Sequence, residues 1–244
     1  AGLTLAASTM GGTFSGTATT GNITQTGALA ITGATTLVTS ANDATITLDT
    51  ATNAFTGAIT ITTNDASGTD ADVTIDGGTT ALQIAASTVD GDLTLTSGNA
   101  SGITDTGTVT VGGNFSATTD ANNGVINMGS MAVDGSFTLA PNGTGAVTIV
   151  NDAGLTLAAS TMGGTFSGTA TTGNITDTGA LAITGATTLV TSANDATITL
   201  DTATNAFTGA ITITTNDASG TDADVTIDGG TTALDIAAST VDGD

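Results

Sequence analysis

The sequence predicts an all-β fold: a right-handed parallel β-helix (β-solenoid) with three short strands per coil and about 22 residues per coil. Three observations carry this reading. Residues 1–92 return almost verbatim at 153–244. Strand-like runs with alternating polarity, such as "ATITLDT", "GAITITT" and "DLTLT", fill the chain. Gly and Asn interrupt it at intervals of roughly 8 to 12 residues, too often for helices to form.

The long repeat has a period of 152, and only two aligned positions differ. Gln25 becomes Asp177, and Gln83 becomes Asp235. Both are expected outside the core, because no basic residue is present to compensate a buried carboxylate. The domain reading is one continuous solenoid, a window of a longer array. Residues 1–152 form a first, circularly cut repeat, and 153–244 a partial second copy.

Within the repeat, small residues open strands at Gly12, Ala34, Gly57, Gly91, Gly113, Gly135 and Gly164. Their spacings of 22, 23, 34, 22, 22 and 29 predict six coils per repeat, two of them with insertions. A single coil cannot bury its apolar face, so stacked coils must supply both core and backbone partners. Right-handed winding is the default for parallel crossovers.

Stacking predicts ladders. The residue two after each opening position gives an inward column of Phe14, Thr36, Ile59, Leu93, Phe115, Phe137, Phe166, Thr188 and Ile211. Phe115, Phe137 and Phe166 are expected as a pile of three rings. A second apolar column precedes the openings: Met10, Ile31, Phe55, Val89, Val111, Val133 and Met162. Thr60, Thr94, Thr138 and Ser116 then face outward. At about 4.8 Å per coil, six coils make about 29 Å of rod.

Composition excludes most chemistry. The chain has no Lys, Arg, His, Cys, Trp, Tyr or Glu, and its 22 acidic residues are all Asp. No amine or imidazole base, thiol nucleophile or Ser–His pair can be built, and no tetrahedral zinc site. Only paired Asp carboxylates remain for acid–base work, so no enzyme is expected and no cofactor is required. A net charge of −22 argues against nucleic acid and anionic membranes. No apolar run is long enough to span a bilayer. Mean hydropathy of +0.30 with a single Pro opposes disorder.

Two features are candidate sites. The loop "NDASGTDADVTIDGG" gathers Asp65, Asp70, Asp72 and Asp76, and its copy gathers Asp217, Asp222, Asp224 and Asp228. Calcium takes six to eight oxygen ligands, so this loop is a candidate calcium site, set against the plainer reading of Asp-rich turns. It matches neither an EF-hand nor a Gly-rich calcium nonapeptide. Sequons at Asn22, Asn99, Asn114, Asn142 and Asn174 are candidate glycosylation sites, at no more than chance frequency. Thr-x-Thr pairs such as Thr60/Thr62 and Thr94/Thr96 resemble ice-binding arrays, but Ser15, Leu37 and Ser116 at neighbouring positions make the array irregular.

The phrases "GNITQTGALAITGATTLVTSANDATITLDTATNAFTGAITI" and "GDLTLTSGNASGITDTGTVTVGGNFSATTD" resemble the repeats of filamentous-haemagglutinin-like and autotransporter-type bacterial exoproteins. That resemblance covers nearly the whole chain. It implies secretion, a right-handed β-helix and a role as fibre, stalk or adhesin. The expected function is a structural extracellular fibre, filament or sheath at the cell surface, self-associating as a polymer or bundle. The alternatives are the stalk of an adhesin in contact with a host surface or matrix, and, more remotely, a polysaccharide-binding or polysaccharide-degrading β-helix or an ice-binding surface.

Overall fold

The computed structural model describes residues 1–66, 70–121, 123–218 and 222–244. It is an all-β parallel solenoid. Every strand pairing is parallel, and no helix forms among the described residues. Three sides wind around one core. Side A is an eleven-stranded sheet running from Leu3–Leu5 to Val225–Ile227. Side C runs from Phe14–Ala18 to Ile211–Asn216. Side B is narrow, built from Ser8–Met10, Leu29–Ile31 and Ala54–Phe55, and its sequence copies form an equivalent patch at Ser160–Met162, Leu181–Ile183 and Ala206–Phe207.

Pairing register counts the coils, and the count is seven per repeat, not six. On side A, Leu3 pairs with Ile23, Ile23 with Ile46, Ile46 with Val73, and Val73 with Leu93. Leu93 then pairs with Phe115, Phe115 with Phe137, and Phe137 with Leu157, in the strand Leu155–Leu157 that copies Leu3–Leu5. Seven coils at about 4.8 Å make about 34 Å per repeat.

The missing coil was hidden in the two long spacings, which are not insertions. Gly57 opens a strand on side C, whereas Gly91 opens one on side A. The stretch between them makes one full turn, Ile59 to Ile84, plus the arc from C to A. The stretch from Gly135 to Gly164 makes one turn, Phe137 to Leu157, plus the arc from A to C.

A shorter repeat explains this. "LTLAASTM" at Leu3–Met10 returns as "LQIAASTV" at Leu82–Val89. The first copy bends from side A onto side B; the second bends within side C. The steps from Leu3 to Leu82 and from Leu82 to Leu155 are nearly equal, and together they make one long repeat. Each half-repeat therefore spans three and a half coils. Successive halves start on opposite sides, so bent and straight strands exchange faces along the rod, approximating a two-fold screw.

The inward column is corrected by the same geometry. Apart from Phe14, Thr36 and Thr188 its residues are buried, and they form separate ladders. Phe14, Thr35 and Ile59 stack on side C, Leu93, Phe115 and Phe137 on side A, and Phe166, Thr187 and Ile211 on side C. The three-ring pile is therefore a pair. Phe115 and Phe137 meet edge to face at 5.8 Å. Phe166 instead packs between Val147 and Thr187. The second apolar column likewise divides into Met10–Ile31–Phe55, Val89–Val111–Val133 and Met162–Ile183–Phe207.

Thr36 and Thr188 are not in the core; Thr35 and Thr187 are. The true opening residue is Gly33, one position before Ala34. A Cβ at Gly33 would sit 2.5 Å from the carbonyl carbon of Gly12, so the coils can approach here only without a side chain. The hydroxyl oxygens of Thr35 and Thr187 are buried without a hydrogen-bond partner. An orphaned polar group costs about 1–3 kcal/mol. Thr35→Val keeps the shape and removes the hydroxyl, so it should stabilise the chain by about 1 kcal/mol. A thermal melt checks this, and a lower melting temperature would show that the hydroxyl has a partner in solution.

The value of stacking is visible within one chain. Leu82, Ile84 and Val89 are fully buried beneath the next coil. Their copies on the last coil, Leu234, Ile236 and Val241, are 39%, 49% and 38% exposed. The same residues gain their burial from the neighbouring coil and not from their own.

Candidate functional site

Asp and Asn side chains cap the corners of the solenoid. At a corner the chain turns away from its sheet, and the next coil presents backbone N–H groups that need acceptors. The carboxylate of Asp72 accepts from the N–H of Asp92 at 2.8 Å, and Asp92 accepts from Asn114 at 2.6 Å. Asn114 Oδ1 accepts from Ser136 at 2.9 Å. Asn22 Oδ1 accepts from Thr45, and Asn174 from Thr197. Each side chain thus clamps the coil that follows it.

This role covers much of the acidic loop. Asp224 Oδ1 accepts from the N–H of Asp244, as Asp72 does from Asp92. Asp76 Oδ1 accepts from Gly78 at 2.7 Å, and Asp228 from Gly230 at 2.7 Å, each closing a turn whose glycine has positive φ. Asp72 and Asp76 flank one strand, Val73–Asp76. Four residues of strand separate their Cα atoms by about 13 Å, too far to share one ion. Asp70 and Asp222 are exposed, and Asp65 and Asp217 are half-buried. The backbone of Asp65 donates to Asp90. Residues 67–69 and 219–221 of the two loops lie outside the described residues. Among the described residues no three acidic side chains are grouped to hold a metal.

Asp43 and Asp76 are held protonated to higher pH than usual. Asp43 is raised chiefly by a hydrogen bond with the Asp65 carboxyl, and Asp76 chiefly by burial. In both cases the folded chain binds the proton more tightly than the unfolded chain. Stability therefore rises as pH falls from neutrality through their folded pKa values, and the gain is complete below the ordinary carboxylate range. Repulsion among 22 carboxylates acts in the same direction. The melting temperature at low salt should be higher at pH 4 than at pH 7, with the gap narrowing as sodium chloride is added. A lower melting temperature at pH 4 would refute this.

The two variable positions have different surroundings. Gln83 and Asp235 are exposed on side C. Gln25 and Asp177 are half-buried at the bend between strands, in register with buried Leu5 and Leu157. Gln25 exchanges two hydrogen bonds with buried Asn53 and accepts from the N–H of Thr50. Asp177 accepts from Asn205 and from the N–H groups of Asp201 and Thr202. Asp105 occupies the equivalent bend and accepts from Gly129 and Ser130. Gln and Asp interchange here because both supply an acceptor to the coil that follows. Sequence reading found no signal for this role.

The sequons separate by their amide nitrogens. Asn99, Asn114 and Asn142 donate theirs to Thr79, Asp92 and Asp120 respectively. Asn22 and Asn174 are exposed and act through their oxygens.

Corrected register also makes the hydroxyl array more regular than the sequence suggests. Leu37 points inward and does not interrupt it. On side A, Thr4, Thr24, Thr47, Thr74, Thr94, Ser116 and Thr138 form one outward ladder.

A family model described as repeats of unknown function (DUF5649) matches residues 1–62, 70–130 and 144–214. Three successive matches fit a unit shorter than the long repeat, in keeping with the half-repeat. No curated protein and no solved structure matches the chain.

Proposed function

Since the chain belongs to the DUF5649 family of repeats of unknown function, we propose that it is a structural protein whose product is length: an extracellular fibre, filament or sheath at the cell surface. The observation that carries this reading is the junction between repeats. Val147–Asn151 of the first copy pairs residue for residue with Phe166–Ala170 of the second. The stack passes from one copy to the next without a break, so each added copy extends the rod by about 34 Å.

The chemistry supports the same reading. The side chains offer no amine, imidazole or thiol, and carboxylates are their only ionisable groups. Asp72, Asp92 and Asp224 have structural work at corners, each holding a backbone N–H of the next coil. No cofactor is needed, and ions act on the rod through its charge.

Electron microscopy of chains with one, two and three repeats tests the proposal. Rods should lengthen by a constant step at constant width. Compact particles, or widths that grow with repeat number, would sink it. The second reading is the stalk of a larger adhesin, which the resemblance to surface exoproteins favours. It predicts single rods ending in a distal knob when the native material is imaged. Release of reducing sugar from polysaccharides would instead reveal an enzyme. Calcium compared with sodium at matched ionic strength tests for a specific ion site.

A further inference from the structure

We propose that side C is the face through which two copies of this rod lie side by side, with their axes parallel. The inference rests on the fibre reading and names the surface through which such fibres would pair.

Charge selects the side. The chain carries 22 carboxylates and no side-chain cation, so two rods can approach only where carboxylates are sparse. Side A is bordered by them on both edges, by Asp72 and Asp92 where strands enter and by Asp49 and Asp76 where they leave. Side C carries them along the edge where strands leave, at Asp65, Asp90, Asp134, Asp152, Asp195 and Asp217. Its entering edge carries Ala34, Ala58 and Ala146. Outward positions on side C hold hydroxyls and small apolar groups, among them Thr148, Val150, Thr188 and Val190, all half-exposed. Between its edges side C carries Asp105, engaged by two backbone N–H groups at the bend, and Asp235, on the last coil.

Area permits a stable contact. Side C is ten coils deep. At about 4.8 Å per coil and about 16 Å of strand, it presents about 770 Å², close to the roughly 800 Å² per partner of a standard interface.

The one-sided acidic edge sets polarity. A two-fold axis along the rods places the acidic edge of each copy over the neutral edge of the other. Antiparallel rods would bring both acidic edges together. Closed two-fold pairing of one patch with itself is the commonest form of homo-association.

The test uses the 244-residue chain at about 0.15 M salt, where repulsion is screened beyond about 8 Å. Sedimentation should report a dimer, and small-angle scattering a doubled cross-section at unchanged length. T148D with T188D, on side C, should weaken dimerisation at least tenfold. T94D with T176D, on side A, should leave it intact. Ala1 carries the only primary amine, so donor and acceptor dyes can be placed there alone. Parallel pairing predicts near-complete energy transfer between them, and weak transfer would overturn it. A monomer at all concentrations, growth in length alone, or equal loss from the side A variant would overturn the docking face. If the side C variant fails to fold by circular dichroism, the wild-type cross-section still decides. Filaments one rod wide would remove the pairing and leave the fibre reading standing. Absence of any filament would remove the fibre reading, while the solution dimer would still test the face.

Discussion

Replacing Phe137 by Asp should unfold the middle of the rod, while replacing its neighbour Thr138 by Asp should barely register. Phe137 is fully buried and packs edge to face on Phe115, with Leu157 on the coil above. A carboxylate there would lie in apolar surroundings with no side-chain cation in the chain to pair with it. The loss includes the ring's own burial and contacts, about 3–5 kcal/mol for a large aromatic, before the charge is counted. Thr138 alternates with Phe137 and points outward beside Ser116. A carboxylate there adds one more charge to a solvated face, with an effect within about 0.5 kcal/mol. Chemical denaturation of both variants checks the difference. Equal losses would mean that the in-and-out register of side A is wrong.

The second large effect is expected at Gly102. Its φ is +65°, a conformation that strains any residue with a Cβ. A Cβ built there would lie 1.7 Å from the carbonyl oxygen of Val125 on the next coil, and that oxygen accepts from the N–H of Ile103. Gly102→Ala must therefore push two coils apart at a corner where backbone meets backbone. Strain in the left-handed region costs about 1–2 kcal/mol, and overpacking a further 1–3 kcal/mol or so. The variant should lose about 2–5 kcal/mol, with hydrogen exchange accelerating first around Ile103–Asp105 and Ile126. By contrast, no heavy atom lies within 4 Å of a Cβ built at Gly129, so Gly129→Ala serves as the tolerated control. Similar losses at the two glycines would show that coil spacing does not limit this corner.

The fold was legible because its strongest signals are local. Alternation in "DLTLT" and "TVTV" gave the strands Leu93–Ser97 and Val109–Val111, and near-identity between copies of the long repeat gave the stack. The coil count was not legible from opening residues alone. An opening glycine marks a corner but not which corner. Gly57 and Gly91 look alike in sequence, yet they open strands on different sides. The half-repeat was available in "LTLAASTM" and "LQIAASTV", but its three and a half coils emerge only once pairing places Leu3 on side A and Leu82 on side C.

In the acidic loop, four Asp residues fall within twelve positions, and residues 67–69 between them lie outside the described residues. Folding sends Asp72 and Asp76 to opposite ends of one strand and gives each a backbone N–H to hold. The partners of corner residues lie mostly 20 to 28 positions away. A reading confined to neighbours in sequence could not reach them. Gln25 and Asp177 belong to the same class, since their work is done on the following coil.

Fibre diffraction from oriented rods of many repeats gives the axial period directly. Seven parallel coils per repeat predict a meridional reflection at about 4.8 Å and an axial repeat of about 34 Å. An axial repeat of about 29 Å would restore six coils and undo the half-repeat. A reflection at about 4.8 Å on the equator would mean that strands do not stack along the rod at all.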